Sequence, residues 1–180
     1  YYGRSVRDSH TGGYGKISLA RGFELSSNTV MVQAVYDNYK NDPEKFVNHI
    51  KNFGLDKPLG LDFKGEGRPI IPKPGDKSWS GISLPWMAFG YEVSVTPLQT
   101  LAFYNAVANN GVMVKPQFVS EIKEWNKTIK KFDTDVINSK ICSMETIKKL
   151  KAVLQNVVKK GTGSKLYSKD FSMAGKTGTA

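Results

Sequence analysis

A chain of 180 residues that is 39% hydrophobic, 11% aromatic and 23% charged can form one ordinary globular domain burying roughly 70% of its extended surface. It has no run of about 18 apolar residues, so no segment reads as a membrane-crossing helix. Its single cysteine, Cys142, excludes an internal disulfide and a cysteine-based zinc site. His10 and His49 stand far apart without ligand-like neighbours, so no metal or other cofactor is expected.

The net charge of +10 is uneven: residues 115–180 carry 14 Lys/Arg against 6 Asp/Glu, and residues 1–114 carry 12 against 10. Such asymmetry can mark a partner for nucleic acid or another anionic polymer. Here the lysines alternate with apolar residues at helical spacing, with no block of lysines and interleaved aromatics. A solvated basic face and no nucleic-acid partner are therefore expected, with a basic nucleic-acid-binding module as the non-enzyme alternative, which rests on charge alone.

Residues 1–25 are rich in glycine and arginine, and "HTGGYG" reads as a turn. A helix is predicted from "SSNTVMVQAVYDNY", where small polar residues supply the cap and Val30, Met31, Ala34 and Val35 the apolar stripe. The next helix has Asp42 as cap and Pro43 at its first position. Its buried face is Phe46, Val47, Ile50 and Phe53, and Gly54 ends it. Pro58, Pro69, Pro72, Pro74 and Pro85 forbid a long helix across residues 55–95. Trp79 and Trp86 make that stretch a packed loop. In "TPLQTLAFYNAVANNG", Thr96 and Gln99 are spaced as a capping box, with Pro97 at the first helical position. The predicted inner face is Leu98, Leu101, Ala102, Asn105 and Ala108, with Gly111 at C′. Residues 112–136 alternate as strands do. The last helix, "SMETIKKLKAVLQNVVKKG", is capped by Ser143 and buries Ile147, Leu150, Leu154 and Val157. Lys159 and Lys160 complement its C-terminal dipole before Gly161. "GTGSKLYSKD" reads as a loop, and "FSMAGKTGTA" as a strand of small residues.

Two short stretches carry chemistry, Ser26-Ser27-Asn28 at a helix head and Lys176-Thr177-Gly178 near the end. Each alone is commonly a cap or a turn. Together they are complementary. Acyl transfer on an anionic substrate needs a fixed cation, hydroxyls for a carboxylate and N–H groups aimed at an oxyanion. Lys176 can supply the cation, and Thr177 and Thr179 the hydroxyls. Gly178 lets the chain approach a ligand. A hydroxyl such as that of Ser26, near a lysine, can relay protons to a leaving group.

With both motifs in place, the chain resembles the transpeptidase domain of class B penicillin-binding proteins, in which Ser-x-Asn and Lys-Thr-Gly are the second and third active-site motifs. Three longer blocks carry the resemblance in the right order: "GFELSSNTVMVQ", "YEVSVTPLQTLAFYNAVANNG" and "VVKKGTGSKLYSKDFSMAGKTGTA". Ser-Ser-Asn resembles the septal, cell-division branch. Glu92 departs from the pattern, because many members carry glycine there.

The resemblance implies an α+β fold, an antiparallel sheet flanked by helices with the sheet incomplete here, and one partial transpeptidase domain over 1–180. It implies a D,D-transpeptidase acting on peptidoglycan stem peptides ending in D-Ala-D-Ala, and binding β-lactams. Cell-division proteins would be partners, and the parent would be anchored in the cytoplasmic membrane with this domain in the cell envelope. The implied catalytic residues are Ser26, Asn28, Lys176 and Thr179. Thr177, Gly178 and Thr179 would bind substrate, and the Thr179 N–H would form half of the oxyanion hole.

The family's first motif, Ser-x-x-Lys, bears the nucleophile and precedes Ser-x-Asn. Its only match here is "SEIK", Ser120 to Lys123, between the other two motifs in a strand-like segment. It is read as accidental, and the nucleophile is expected upstream of Tyr1. Two enzyme alternatives are weaker. A serine β-lactamase of class A would use Glu-x-x-x-Asn, which Glu44 and Asn48 match, but Glu44 sits where an acid complements a helix dipole. A P-loop would need glycine where Asp170 stands, five residues before Gly175.

Overall fold

The computed structural model describes residues 1–178. They form two compact units. One comprises Tyr1–His49, Ile71–Ser94 and the described part of Lys148–Ala180, and the other Ile50–Ile70 and Val95–Ile147.

In the first unit, helix α1 (Leu19–Glu24) begins at Ser18, whose side chain accepts from the Arg21 N–H at 3.2 Å. Sequence patterning reads no helix here, because six residues with a central glycine have poor intrinsic propensity. Tertiary packing overrides that: a Cβ at Gly22 would lie 2.4 Å from Val30 Cγ1, so the missing side chain lets α1 press against α2 (Asn28–Tyr39). Ser27 caps α2 by accepting from the Val30 N–H. Helix α3 (Pro43–Asn52) starts at Asp42, whose carboxylate accepts from the Lys45 N–H at 3.2 Å, and ends before Gly54 at φ +79°. It runs from the first unit into the second, and α6 (Met144–Lys160) runs from the second into the first. Pro85 lies inside α4 (Ser83–Met87), only five residues long. Val32, Val47, Leu84, Met87, Leu154, Val157 and Val158 are among the buried apolar residues of this unit.

The second unit holds α5 (Pro97–Ala108), whose capping box is complete. The Gln99 N–H donates to Thr96 Oγ1 at 3.1 Å, and the Thr96 N–H donates to Gln99 Oε1 at 2.8 Å. Its buried face is one position away from the predicted one. Gln99, Ala102, Ala106 and Val107 are buried, while Leu101, Asn105 and Ala108 are exposed. The reason is Gln99, which also donates to the Lys57 carbonyl at 2.8 Å and so draws its side of the helix inward. The C-terminal cap shifts too. Asn110 (φ +55°) takes C′, and the Gly111 N–H reaches the Ala106 carbonyl at 2.7 Å, the six-to-one bond of a Schellman ending.

Four short strands follow the predicted alternation: β1 (Met113–Val114), β2 (Glu121–Glu124), β3 (Lys127–Lys131) and β4 (Val136–Asn138). They pair antiparallel as β1 with β4 and β2 with β3. Trp125 and Asn126, both at positive φ, make the two-residue turn of the β2–β3 hairpin. Leu59, Met113, Ile141 and Ile147 join the α5 residues in this unit's core.

The stretch 172–178, predicted as a strand, forms no ladder. The Gly175 N–H donates to the Leu154 carbonyl at 3.2 Å, but no partner strand flanks it among the described residues. The β-structure among the described residues is thus two separate antiparallel pairs.

Candidate active site

The candidate site lies within the first unit, between the turn joining α1 to α2 and the segment carrying Lys176. Ser26 occupies that turn at φ +55°, a left-handed conformation uncommon for a residue with a Cβ. Its N–H donates to the Phe23 carbonyl at 3.2 Å, and the Ser27 N–H donates to the Gly22 carbonyl at 2.8 Å. These two bonds fold the chain back sharply and leave the Ser26 hydroxyl at the turn's apex.

Lys176 comes from 150 residues away and donates its ammonium to Ser26 Oγ. It also donates to the Thr177 carbonyl at 3.0 Å and lies 5.6 Å from the centre of the Phe23 ring. Burial against this surface lowers the Lys176 pKa from its ordinary value. Thr177 Oγ1 stands 3.3 Å from Ser26 Oγ and 2.6 Å from Thr162 Oγ1, and Thr162 Oγ1 is 3.5 Å from Ser26 Oγ. Three hydroxyls and one ammonium therefore form one connected cluster, with no carboxylate among them. Such a cluster can pass a proton between oxygens beside a fixed positive charge, and it offers donors to an incoming anion.

Of the predicted residues, Ser26, Lys176 and Thr177 are brought together. Asn28 instead donates its Nδ2 to the Arg7 carbonyl at 3.1 Å. Gly178 is exposed, and a Cβ there would meet no atom within 4 Å, so the chain's own packing does not demand glycine. Thr179, assigned both catalytic and binding roles from sequence, lies outside the described residues.

Thr162 is the member of this cluster that sequence reasoning missed. It follows the "KKG" helix ending and is anchored by its N–H, which donates to the Glu24 carbonyl at 3.1 Å. Gly161 makes that approach possible, since a Cβ there would sit 2.3 Å from the Glu24 carbonyl oxygen. The buried Glu24 carboxylate reinforces the junction by pairing with Arg21 at 2.9 Å and facing Lys160 at 3.7 Å. Arg21 also donates to the Lys160 carbonyl at 2.9 Å. The end of α6 is in this way fixed to the end of α1, two residues before Ser26. The available signal was the position of Thr162 inside one of the three family blocks.

Against known proteins, the sequence matches the family described as penicillin binding protein transpeptidase domain over residues 1–180. The chain belongs to that family. It is 35% identical over 142 residues to stage V sporulation protein D of Bacillus subtilis, covering 76% of this chain and 21% of that protein. It is 30% identical over 188 residues to penicillin-binding protein PbpB of Mycolicibacterium smegmatis, covering 99% of this chain and 28% of that protein. Among solved structures, penicillin-binding protein 2B from Streptococcus pneumoniae superposes with a TM-score of 0.81 at 26% identity, over 99% of this chain and 33% of that one. Penicillin-binding protein 3 from Mycobacterium tuberculosis, complexed with ampicillin, gives a TM-score of 0.72 at 27% identity, over 89% of this chain and 36% of that one. The chain thus spans between a fifth and about a third of the lengths of these relatives. The likeness to these structures fixes the fold class as the mixed helix-and-strand fold of penicillin-binding protein transpeptidase domains.

The other serine–lysine match in this transpeptidase-family chain is built differently. Ser120 precedes β2 and is exposed, with its carbonyl accepting from the Phe132 N–H at 3.0 Å. Lys123 pairs with Glu121 at 2.6 Å, so its ammonium is engaged by a carboxylate. Glu44, the formal β-lactamase match, is exposed in the first turn of α3, where an acid complements the helix dipole.

Proposed function

We propose that the chain is part of a serine-type D,D-transpeptidase that cross-links peptidoglycan stem peptides through an acyl-enzyme. The observation that carries this reading is the direct contact of Lys176 with Ser26, joined by Thr177, from motifs 150 residues apart. The nucleophilic serine is a residue outside these 180. Its Oγ attacks the carbonyl of the penultimate D-Ala, an ester forms, and the peptide C–N bond breaks. The departing D-Ala amine takes up a proton through the Ser26 hydroxyl, with Lys176 stabilising negative charge on the oxygens beside it. The acceptor amine then attacks the ester, regenerating the serine.

Thr177 and Thr179 bind the terminal carboxylate of the substrate, Asn28 assists at the substrate amide, and the Thr179 N–H contributes to the oxyanion hole. A β-lactam enters the same site because it too presents a carboxylate beside a reactive amide. The protein works in the cell envelope, held at the cytoplasmic membrane with this domain outside, among cell-division partners.

The test is covalent labelling of the full-length protein with a fluorescent penicillin. Stoichiometric labelling that becomes far slower in Lys176→Met supports the reading. A full-length protein that stays unlabelled, or turns over penicillin rapidly as a β-lactamase does, overturns it.

A further inference from the structure

Ser26 is held by backbone bonds on its N-terminal side, but what holds the chain on its C-terminal side is less obvious. The answer lies in a segment 19–21 residues upstream. The Asp8 carboxylate accepts from the Ser27 hydroxyl at 3.1 Å through each of its oxygens, from the Thr29 N–H at 3.0 Å and from the Thr29 hydroxyl at 2.8 Å. Its neighbour Arg7 offers the carbonyl that accepts from Asn28 Nδ2 at 3.1 Å. Two adjacent residues therefore grip three consecutive ones, 27, 28 and 29, immediately after Ser26.

An ordinary helix cap would account for less. Ser27 already caps α2 through the Val30 N–H, so that donor does not need Asp8. Ser27 is also fully buried, so without Asp8 its hydroxyl exchanges a carboxylate acceptor for the weaker Thr29 hydroxyl at 3.1 Å. The grip on Asn28 is specific in another way. With one N–H committed to Arg7, the amide plane is fixed and its Oδ1 and second N–H are left for other partners. The carboxylate's environment agrees: burial alone would raise the Asp8 pKa, but the bonds from Thr29 and Ser27 outweigh it and hold it below the usual carboxylate range.

We infer that Asp8 is a positioning residue for acyl transfer, which with the Arg7 carbonyl sets the placement of Ser26 and the amide plane of Asn28. This rests on the transpeptidase reading proposed above. Asp8 touches neither the hydroxyl cluster nor Lys176; it acts through residues 27–29. Removing it leaves Ser26 present but free to shift, and a displacement near 1 Å at reacting groups can cost about 100-fold in rate.

The experiment measures acylation of the full-length protein by penicillin, separating non-covalent affinity from the acylation rate constant. Asp8→Ala is expected to lower the rate constant about 10- to 100-fold with affinity little changed, in protein whose circular dichroism matches wild type. Asp8→Asn, which keeps one acceptor oxygen, should fall between. Thr29→Val, which deletes one donor to Asp8, should lower the rate in the same direction, and the Asp8→Asn/Thr29→Val pair should be less than additive. Where Asp8→Ala does not fold, Thr29→Val and Asp8→Asn decide alone.

Rate constants equal to wild type in the folded variants would overturn the inference. So would a reduced labelled fraction with an unchanged rate constant, which is the mark of a merely structural residue. A wild-type protein that penicillin does not label defeats the transpeptidase reading and this inference with it. A labelled wild type with unaffected variants defeats only the role of Asp8.

Discussion

This chain contains two serine–lysine pairings, and they invert the usual relation between sequence distance and contact. Ser120 and Lys123 are three residues apart, yet Lys123 is taken by Glu121 and the two strands around them are exposed along their whole length. Ser26 and Lys176 are 150 residues apart, yet they touch, flanked by Thr162 and Thr177. The difference is in what surrounds each serine. The hairpin turn is made from its own ladder and two left-handed residues, so it needs nothing distant. The Ser26 turn is fixed by Asp8 and Arg7 on one side and by the end of α6 on the other. The contact between Ser26 and Lys176 stands among those distant ties, which a short motif cannot report.

The sharpest break of this comparison is all-or-none. The 180-residue chain, treated with a fluorescent penicillin and weighed intact, should carry no adduct, because neither serine combines a nucleophile's setting with a free base. A stoichiometric adduct at Ser120 would show that the hairpin pairing is the functional one. In the full-length protein, Lys176→Met should slow acylation roughly 100- to 1,000-fold by removing a preorganised charge. Stability at neutral pH should not fall, since burial already opposes the charged form of Lys176. The sign follows from linkage. With the folded pKa below 10.5, the unfolded state binds more protons between the two values, so stability rises with pH through that window. Lys176→Met should abolish that rise. Thr177→Ala should cost about 10- to 150-fold in acylation, the equivalent of a charge-assisted hydrogen bond of about 1.5–3 kcal/mol, with little change in melting temperature.

A second break aims at the ties themselves. Gly161→Ala places a methyl group 2.3 Å from the Glu24 carbonyl and 2.9 Å from Val157 backbone atoms. The end of α6 must then move away from α1, costing about 1–3 kcal/mol. Acylation should fall as well, because Thr162 moves with it. Normal acylation in a destabilised Gly161→Ala protein would mean that this junction does not set the site. The Asp8 tie should show itself in the acid limb of a stability profile. Its folded pKa is depressed, so its contribution is present above the ordinary aspartate value near 3.9 and disappears as pH falls through the lower folded one. Asp8→Asn should flatten that limb.

The same contrast explains what could be read without coordinates. The starts of α2, α3, α5 and α6 were legible because Ser27, Asp42, Thr96 and Ser143 act locally on the next turn. Ser26, Lys176 and Thr177 were legible as candidates only because two motifs complement one another chemically. The inner face of α5 was misplaced because Gln99 is polar and yet fully buried, satisfied by its own cap and by Lys57. Helix α1 was invisible because Gly22 reads as a breaker, when its role is close approach to Val30. Thr162 and Asp8 were missed for a single reason. Each works through a partner more than 15 residues away, and periodicity carries no record of such pairs.

The smallest expected effect compares two left-handed residues. Ser26 (φ +55°) and Glu92 (φ +63°) both hold a backbone conformation that disfavours a Cβ. Glu92 is exposed, and Gly90 just before it is also at positive φ (+101°), so the loop suits glycine. Glu92→Gly relieves a strain of roughly 1–2 kcal/mol but loosens the unfolded chain by about 0.4–1 kcal/mol. The net is a gain of between zero and about 1.6 kcal/mol, read as a higher denaturant midpoint at constant slope, with acylation unchanged. Ser26→Gly has the same backbone arithmetic and should likewise not lower stability. It deletes the hydroxyl that Lys176 grips, so acylation should fall at least as far as in Thr177→Ala. If Glu92→Gly slowed acylation while Ser26→Gly did not, the left-handed residue that matters to the chemistry would be Glu92, and the hydroxyl cluster would have to be reassigned.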